Sequence, residues 1–173
     1  MSITINTVTN ANVFLDGASK LGQASSVELP SLSANMAEHD ALGLIGKLEH
    51  FAGFEAMEMT ITWNAFYPDS LIRLLDPFKD IGLVVYANMD RRNASGLIDQ
   101  VSVAHSVRGV FKSNGLGSLK QMENVDGVES MLSVHYVKQV VDGVEVLEYD
   151  ARAQIYRVNG EDVLANYRNN LGL

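Results

Sequence analysis

The 173-residue chain contains no cysteine, so it can form neither a disulfide framework nor a thiol nucleophile. This absence is typical of proteins made in a reducing compartment. No apolar run approaches the roughly 20 residues of a membrane-spanning helix, and the first ten residues lack the basic and apolar regions of a signal peptide. We therefore expect a protein that is made and assembled in the cytosol and does not insert into a membrane.

Basic residues are also scarce. Thirteen Lys and Arg stand against 21 Asp and Glu, for a formal net charge of -8. Positions 121–150 hold seven acidic residues and one lysine. Nucleic-acid-binding proteins cluster basic residues to release counterions from phosphate, and this chain does the opposite. The acidic segment is either an ordinary solvated face or a surface that stays near nucleic acid without holding it.

The chain lacks the residue patterns of catalytic, cofactor-binding and metal sites. Its four histidines have no partner at zinc-ligand spacing; they are His39, His50, His105 and His135. The Gly115-Leu116-Gly117 segment misses the third glycine of a dinucleotide-binding loop. No serine-nucleophile elbow occurs either. We expect no catalytic residue, no cofactor and no metal, and thus no enzyme.

Period-two alternation of apolar and polar residues predicts strands along most of the chain. Between Met57 and Trp63 the alternation is complete, with Met57, Met59, Ile61 and Trp63 on one face. Similar patterns occupy positions 81–89, 101–108 and 129–141, and in the last of these Leu132, Val134, Tyr136 and Val140 are predicted to share a face. Asp16-Gly17 and Asp142-Gly143 predict hairpin turns. The pattern indicates a mostly antiparallel sheet.

Two short helices are predicted beside these strands. Pro68-Asp69 opens the first and Asp76-Pro77 stops it, with Leu71, Ile72 and Leu75 as its apolar face. The second is predicted from Glu161 to Asn169, with Asn159 as N-cap, Asp162 as capping-box partner and Gly172 as a left-handed stop. Its predicted packing face is Val163, Leu164 and Tyr167. We predict a single domain, residues 1–173, that is mainly β, an antiparallel β barrel or sandwich with one or two short peripheral helices.

The segment from His39 to Phe54 does not fit the strand pattern. Its glycines interrupt a set of large apolar side chains: Leu42, Leu44, Ile45, Leu48, Phe51 and Phe54. A structureless stretch of this length is uncommon in a compact domain, and so apolar a loop is costly in water. It is either a glycine-weakened helix or hairpin folded back on its own core, or a surface that a neighbouring copy buries.

Several segments, in this order and spacing, resemble one protein family over almost the whole chain. They are Thr9–Gly17, Val27–Leu32, Glu55–Met59, Val140–Glu145 and the ending Val158–Leu173, which closes on Asn-Leu-Gly-Leu. The set resembles the tail tube proteins of contractile phage tails and the related tube proteins of R-type bacteriocins. The run from Asp90 to Asn93 falls in a loop position in this comparison, where tube proteins vary.

The resemblance implies a structural protein of the virion tail or of a phage-tail-like particle, made in the cytoplasm of the bacterial host. Six subunits would close a ring with a continuous inner β barrel, and rings would stack into a hollow tube inside a contractile sheath. Sheath, baseplate and tail terminator proteins would be its partners, and DNA or ions would pass through the lumen without specific binding. The residues alone also allow a cytosolic β-sandwich binding module, monomeric or dimeric. Phage and bacteriocin-like particle are not distinguished.

Three sets of residues are expected to act in such an assembly. The ring-stacking set is Leu42, Leu44, Ile45, Leu48, Phe51 and Phe54. The lumen-facing set is Glu58, Thr60 and Thr62, on the polar face of their predicted strand. The C-terminal docking set is Leu171 and Leu173, because a chain end with so much local specification is expected to bind a surface.

Overall fold

The computed structural model describes residues 3–40, 45–119, 121 and 127–173. Within these ranges the chain forms twelve strands and two short helices, which confirms the prediction of a mainly β protein. The elements are β1 (Ile5–Leu15), β2 (Ala18–Ser19), β3 (Ala24–Glu28), β4 (Ala34–His39), β5 (Leu48–Phe54), β6 (Met57–Trp63), α1 (Pro68–Leu74), β7 (Ile81–Asn93), β8 (Gly96–Asn114), β9 (Val128–Val141), β10 (Val144–Asp150), β11 (Ile155–Val158), β12 (Glu161–Asp162) and α2 (Ala165–Asn170). Neither helix is long and apolar enough to cross a membrane.

Ten of these strands form one antiparallel sheet, and eight of the ten follow the order β12-β11-β10-β9-β8-β7-β1-β2. The first half of β9 also pairs with β6, and β6 pairs with β3. Strand β2 ends the main order, and strand β3 ends the branch through β6. These two end strands are separated in sequence only by residues 20–23. The sheet must therefore curl until its two ends approach each other, which gives an open barrel around the core.

The core follows from the alternation in β6. Met57, Met59, Ile61 and Trp63 are all buried, as predicted, and face the buried side chains of β1, β7, β8 and β9. The Trp63 indole N–H donates a hydrogen bond of 3.0 Å to Oγ of Ser130, which is also buried. A buried tryptophan needs such a partner for its polar end. The tryptophan is therefore held in one orientation at the centre of the barrel.

The predicted face of β9 is correct only for its first half. A shift in pairing leaves His135 without a partner on β8, because Val134 pairs with Gly109 and Tyr136 with Arg108. Such a bulge changes which face the following residues occupy. Val137 is buried instead of Tyr136, whose hydroxyl donates to Glu148 at 3.1 Å on the outer face.

Helix α1 begins at Pro68 and ends before Asp76-Pro77, as predicted, but its predicted apolar face is partly wrong. Ser70 and Leu74 are the buried residues and Leu71 packs against the core, whereas Ile72 and Leu75 are exposed. The buried positions recur at the helical spacing of three to four residues. Lys20 Nζ contacts Asp69 at 2.5 Å, which ties α1 to the connection between β2 and β3.

The predicted N-cap of the C-terminal helix is wrong. Asn159 and Gly160 have φ of 52° and 80° and form the turn of a hairpin between β11 and β12. Asn-Gly favours this type of turn because both positions need a positive φ. The helix begins later, at Ala165, and of its predicted packing face only Leu164 is half-buried, while Val163 and Tyr167 are exposed. The left-handed Gly172 is confirmed, with φ of 74°.

Candidate assembly surfaces

Four neighbouring strands form a part of the sheet that we call the inner sheet: β3, β6, residues 128–134 of β9 and residues 110–114 of β8. Each strand in this set is antiparallel to the next. Among the described strands, β3 pairs only with β6, and residues 110–114 of β8 pair only with β9. The inner sheet therefore has two free edges, one on β3 and one on β8, with unpaired backbone groups available to another chain.

The two faces of the inner sheet differ in chemistry. One face is the apolar core side described above. Directly paired residues on neighbouring strands share a face, so the ladder Glu58–Ser133–Val110 and the pairs Thr60–Met131 and Thr62–Glu129 lie on the opposite side. Glu58 is exposed, and Thr60 and Thr62 are half-buried. The predicted lumen residues thus share one polar face directed away from the core.

Glu58 is not an isolated charge on this face. Lys112 of β8 forms a salt bridge with its carboxylate, and both side chains are partly exposed. Analysis of the sequence missed this lysine because nothing in the pattern of β8 indicates which strand lies beside it. An exposed pair of this kind contributes little to stability, but it offsets the negative charge of Glu58.

The segment with the glycine-interrupted apolar residues lies largely in β4 and β5, and we call residues 34–40 and 45–54 the arm. The arm strands pair with each other in a separate two-stranded sheet. Ile45 is fully exposed, and Leu48 and Phe51 are about half-exposed. Leu42 and Leu44 lie outside the described residues. The described part of this segment is a pair of strands and not a helix, and Ile45, Leu48 and Phe51 keep about half or more of their surface in solvent.

Phe54 differs from the other apolar residues of the arm. Its ring centroid lies 4.8 Å from that of Tyr149 and 4.9 Å from that of Tyr156, on β10 and β11. Edge-to-face and tilted arrangements at this distance are favourable for aromatic pairs. Phe54 therefore anchors the base of the arm to its own subunit, and only Ile45, Leu48 and Phe51 of the described stacking set remain available to a neighbour.

A groove of about 420 Å³ lies beside this aromatic contact. It is lined by residues of the arm and of the C-terminal region, among them Phe51, Phe54, Tyr149, Leu164 and Tyr167. The arm and the C-terminal segment are far apart in sequence, and the alternation pattern gave no sign that they meet. The structure thus places the base of the arm beside the segment that precedes the C-terminal leucines.

The chain end leaves both predicted docking residues in solvent, with Leu171 53% and Leu173 70% exposed. The segment before them is fixed. Arg168 donates a 2.9 Å hydrogen bond to the carbonyl of Gln154 and forms a salt bridge with Asp162. The hydrogen bond from Arg168 lowers the pKa of Asp162 below its usual value of 3.8. A fixed helix therefore presents two exposed leucines.

The far ends of β7 and β8 contain a carboxylate that analysis of the sequence missed. The run from Asp90 to Asn93 lies within β7, so its placement in a loop is wrong. Asp90 is only 4% exposed and accepts hydrogen bonds from Arg92, Gln100 and Asn88 at 3.0–3.1 Å. The bond from Arg92 is the main cause of its lowered pKa. Asp90 is therefore a structural charge that fixes two strand ends.

The four histidines do not lie together at one site. His39 and His50 lie on the paired strands of the arm, with ring centroids 6.3 Å apart. His105 and His135 lie in strands, as predicted, and burial lowers the pKa of each. Within residues 3–40, 45–119, 121 and 127–173, no group of three or more metal-binding side chains is close enough to hold an ion.

Comparison with known proteins identifies the kind of protein that carries these surfaces. The family described as phage tail tube protein FII matches residues 5–172. The tail tube protein of Escherichia phage P2 is 32% identical over 165 residues, which cover 94% of each chain. The family match extends over the inner sheet, the arm and the C-terminal segment up to Gly172. The chain belongs to the tail tube protein family of contractile phage tails, and it is a structural component of the virion tail.

Proposed function

We propose that this protein forms six-membered rings in which the inner sheets join edge to edge into one barrel, and that these rings stack into the hollow tube of the tail. The observation that carries the proposal is the pair of free edges on the inner sheet. Open sheet edges invite uncontrolled pairing, and closure into a ring removes them. When one edge of each subunit pairs with the opposite edge of the next, the assembly closes into a ring if the rotation between neighbouring subunits allows it.

The number of strands favours this closure. Because the inner sheet has four strands in alternating directions, β3 and the end of β8 run antiparallel to each other. The β8 edge of one subunit can therefore pair with the β3 edge of the next without changing the antiparallel pattern. A subunit with an odd number of strands would force one parallel pair at every interface.

The polar face of the inner sheet supports its assignment to the lumen, with Glu58, Thr60 and Thr62 among the lining residues. In a closed barrel one face of every strand points inward. The core face is already covered by the subunit itself, which leaves the polar face for the channel. Besides the compensated Glu58, this face holds the exposed Glu28 and Glu129. A net negative lining repels phosphate, so DNA passes without specific binding.

The exposed apolar residues support the assignments to stacking and docking. The arm would reach the adjacent ring with Ile45, Leu48 and Phe51, and the C-terminal leucines Leu171 and Leu173 would dock on a neighbouring subunit. Burial of such side chains against another copy removes apolar surface from water. The outer surfaces remain for the sheath, baseplate and tail terminator proteins. A monomeric or dimeric binding module has no use for two free sheet edges and an unpartnered arm.

Electron microscopy of the purified protein at high concentration tests the proposal. We expect rings or hollow tubes of uniform width, with six subunits in projections along the axis. A protein that stays monomeric or dimeric at every concentration, measured by light scattering, would contradict ring closure and favour the binding module.

The lumen assignment has its own test. Glu58→Lys should leave tubes intact but slow DNA delivery, most strongly at low salt, where charges are least screened. Glu161→Lys makes the same change in charge on the exposed strand β12, outside the inner sheet, and serves as the matched control. Normal delivery by the Glu58 variant at low salt would place Glu58 outside the lumen.

A further inference from the structure

We propose that Lys112 forms a second ion pair, with Glu28 of the next subunit, and that this pair fixes the register of the ring interface. The inference rests on the ring closure proposed above. It adds what closure alone does not determine, namely which residues of the two free edges lie opposite each other.

Each free edge carries a single charged residue, and the two charges have opposite signs. Residues 110–114 of β8 contain Lys112 as their only charged residue, and β3 contains only Glu28. Both side chains are exposed. When the β8 edge of one copy meets the β3 edge of the next, these are the two charges that can meet.

Both charges also lie on the same face of the inner sheet. Glu28 pairs with Thr60, which lies on the polar face. Lys112 forms its salt bridge with Glu58 on that face. A side chain on the opposite, apolar face would be separated from its partner by the sheet itself. The shared face is therefore a condition for the pair, and the structure meets it.

The backbone at Lys112 suits a bridging role. Phe111 pairs with Leu132 and Ser113 with Met131, so Lys112 is an extra residue without a partner on β9. A bulge of this kind at a sheet edge redirects the side chain that it carries. In the isolated subunit the Lys112 side chain extends over β9 to Glu58 on β6, while its backbone lies at the edge where the next subunit adds its first strand.

A single pair of opposite charges can select one register among several. Backbone hydrogen bonds alone allow slips of two residues, which keep each strand's faces but move residues by about 6.6–6.8 Å. Such a slip separates Glu28 from Lys112 and leaves the carboxylate without its partner. Charge complementarity of this kind acts mainly on specificity.

A carbodiimide cross-link tests the pair with both charges in place. This reagent joins an ammonium directly to a carboxylate that contacts it, so unmodified tubes should give a ladder up to a covalent hexamer on a denaturing gel, with Lys112 joined to Glu28 in digested bands analysed by mass spectrometry. Glu28→Gln should remove this product, and Glu161→Gln should leave it unchanged. Intact tubes in which Lys112 is not joined to Glu28 of a neighbouring subunit would overturn the inference.

A charge exchange tests the pair without a cross-link. In a Glu58→Gln background, Glu28→Lys should raise the critical concentration for tube formation at low salt by about tenfold or more, because it places two ammonium groups together. Adding Lys112→Glu should restore the original value, while Glu161→Lys should change little. Failure of the exchange to restore assembly would contradict the pair, whereas absence of tubes from the unmodified protein would contradict ring closure itself.

Discussion

The barrel body and the arm use the same kinds of residue with opposite results. In β6 four apolar side chains alternate with polar ones and are completely covered. In the arm, Ile45, Leu48 and Phe51 are just as apolar, yet they remain in solvent. The difference lies in what surrounds the strands. β6 has a paired strand on each edge and a core on one face, whereas the arm strands have only each other.

A two-stranded hairpin is marginally stable by itself in water. The arm is held to the body at its base, where Phe54 packs against Tyr149 and Tyr156. Beyond that contact it offers apolar surface that the subunit never covers. Burial within one subunit therefore accounts for the fold, while the apolar surface left uncovered on the arm is the surface that the proposed assembly would use.

The variant Trp63→Ala tests the core of the barrel body and is expected to have the largest effect. The indole is fully buried and hydrogen-bonded to Ser130, so its removal leaves a cavity and should cost about 3–5 kcal/mol of unfolding free energy. Urea denaturation measures the loss. Phe78→Ala removes an aromatic ring that is 95% exposed and should stay within about 0.5 kcal/mol of the unmodified protein. Equal losses from the two variants would contradict the assigned core.

The arm side of the comparison is tested by Ile45→Asp. Because Ile45 is fully exposed in the subunit, its replacement should change the unfolding free energy by less than about 0.5 kcal/mol. In the tube, the same change removes a burial worth about 1.5–3 kcal/mol at every stacking contact. We expect rings without long tubes in electron micrographs. Tubes of normal length would show that Ile45 does not contribute to stacking, and Ile45→Leu provides a control that keeps the apolar surface.

A smaller effect is expected from the C-terminal leucines. They keep 53% and 70% of their surface exposed, so docking can add about 1–2 kcal/mol for each. Leu171→Ser with Leu173→Ser should lower tube yield, measured by sedimentation, and leave α2 intact. A truncation of residues 169–173 would also remove the last helical turn and is less specific. Unchanged yield from the double variant would mean that the chain end stays free.

The smallest expected effect concerns Asp90. Its pKa is lower in the folded protein than in the unfolded chain, so it stabilises the fold at pH values above its usual pKa. This contribution disappears as the pH falls through the lowered pKa. Asp90→Asn should therefore lower the melting temperature at about pH 6. The difference in melting temperature from the unmodified protein should shrink as the pH falls to about 3. Asp99→Asn removes one exposed carboxylate on β8 and serves as the matched control for the change in charge.

The sequence predicted best where local and tertiary signals agree. The alternation in β6, the proline that opens α1 and the two Asp-Gly turns were all confirmed, because backbone period and turn geometry depend on nearest neighbours. Prediction failed where a single residue changes the period. The bulge at His135 moved Tyr136 to the outer face, and the Asn159-Gly160 turn replaced a predicted helix cap.

The candidate surfaces divide in the same way. The faces of Glu58, Thr60 and Thr62 follow from alternation alone. The Lys112 salt bridge, the packing of Phe54 on Tyr149 and the hydrogen bond from Gln100 to Asp90 each join different strands, and no local pattern in the sequence gives the order of the strands.

By itself, the sequence determined that this protein is mainly β and a member of the tail tube family, because periodicity and the order of motifs are properties of the chain. The tertiary structure alone decided which strands are neighbours, and hence which edges stay free and which charges meet. Those contacts depend on long-range pairing, where a shift of one residue exchanges the two faces of a strand. The exposure of Ile45 and Leu48, likewise, is known only from the structure, because it depends on which parts of the subunit lie beside the arm.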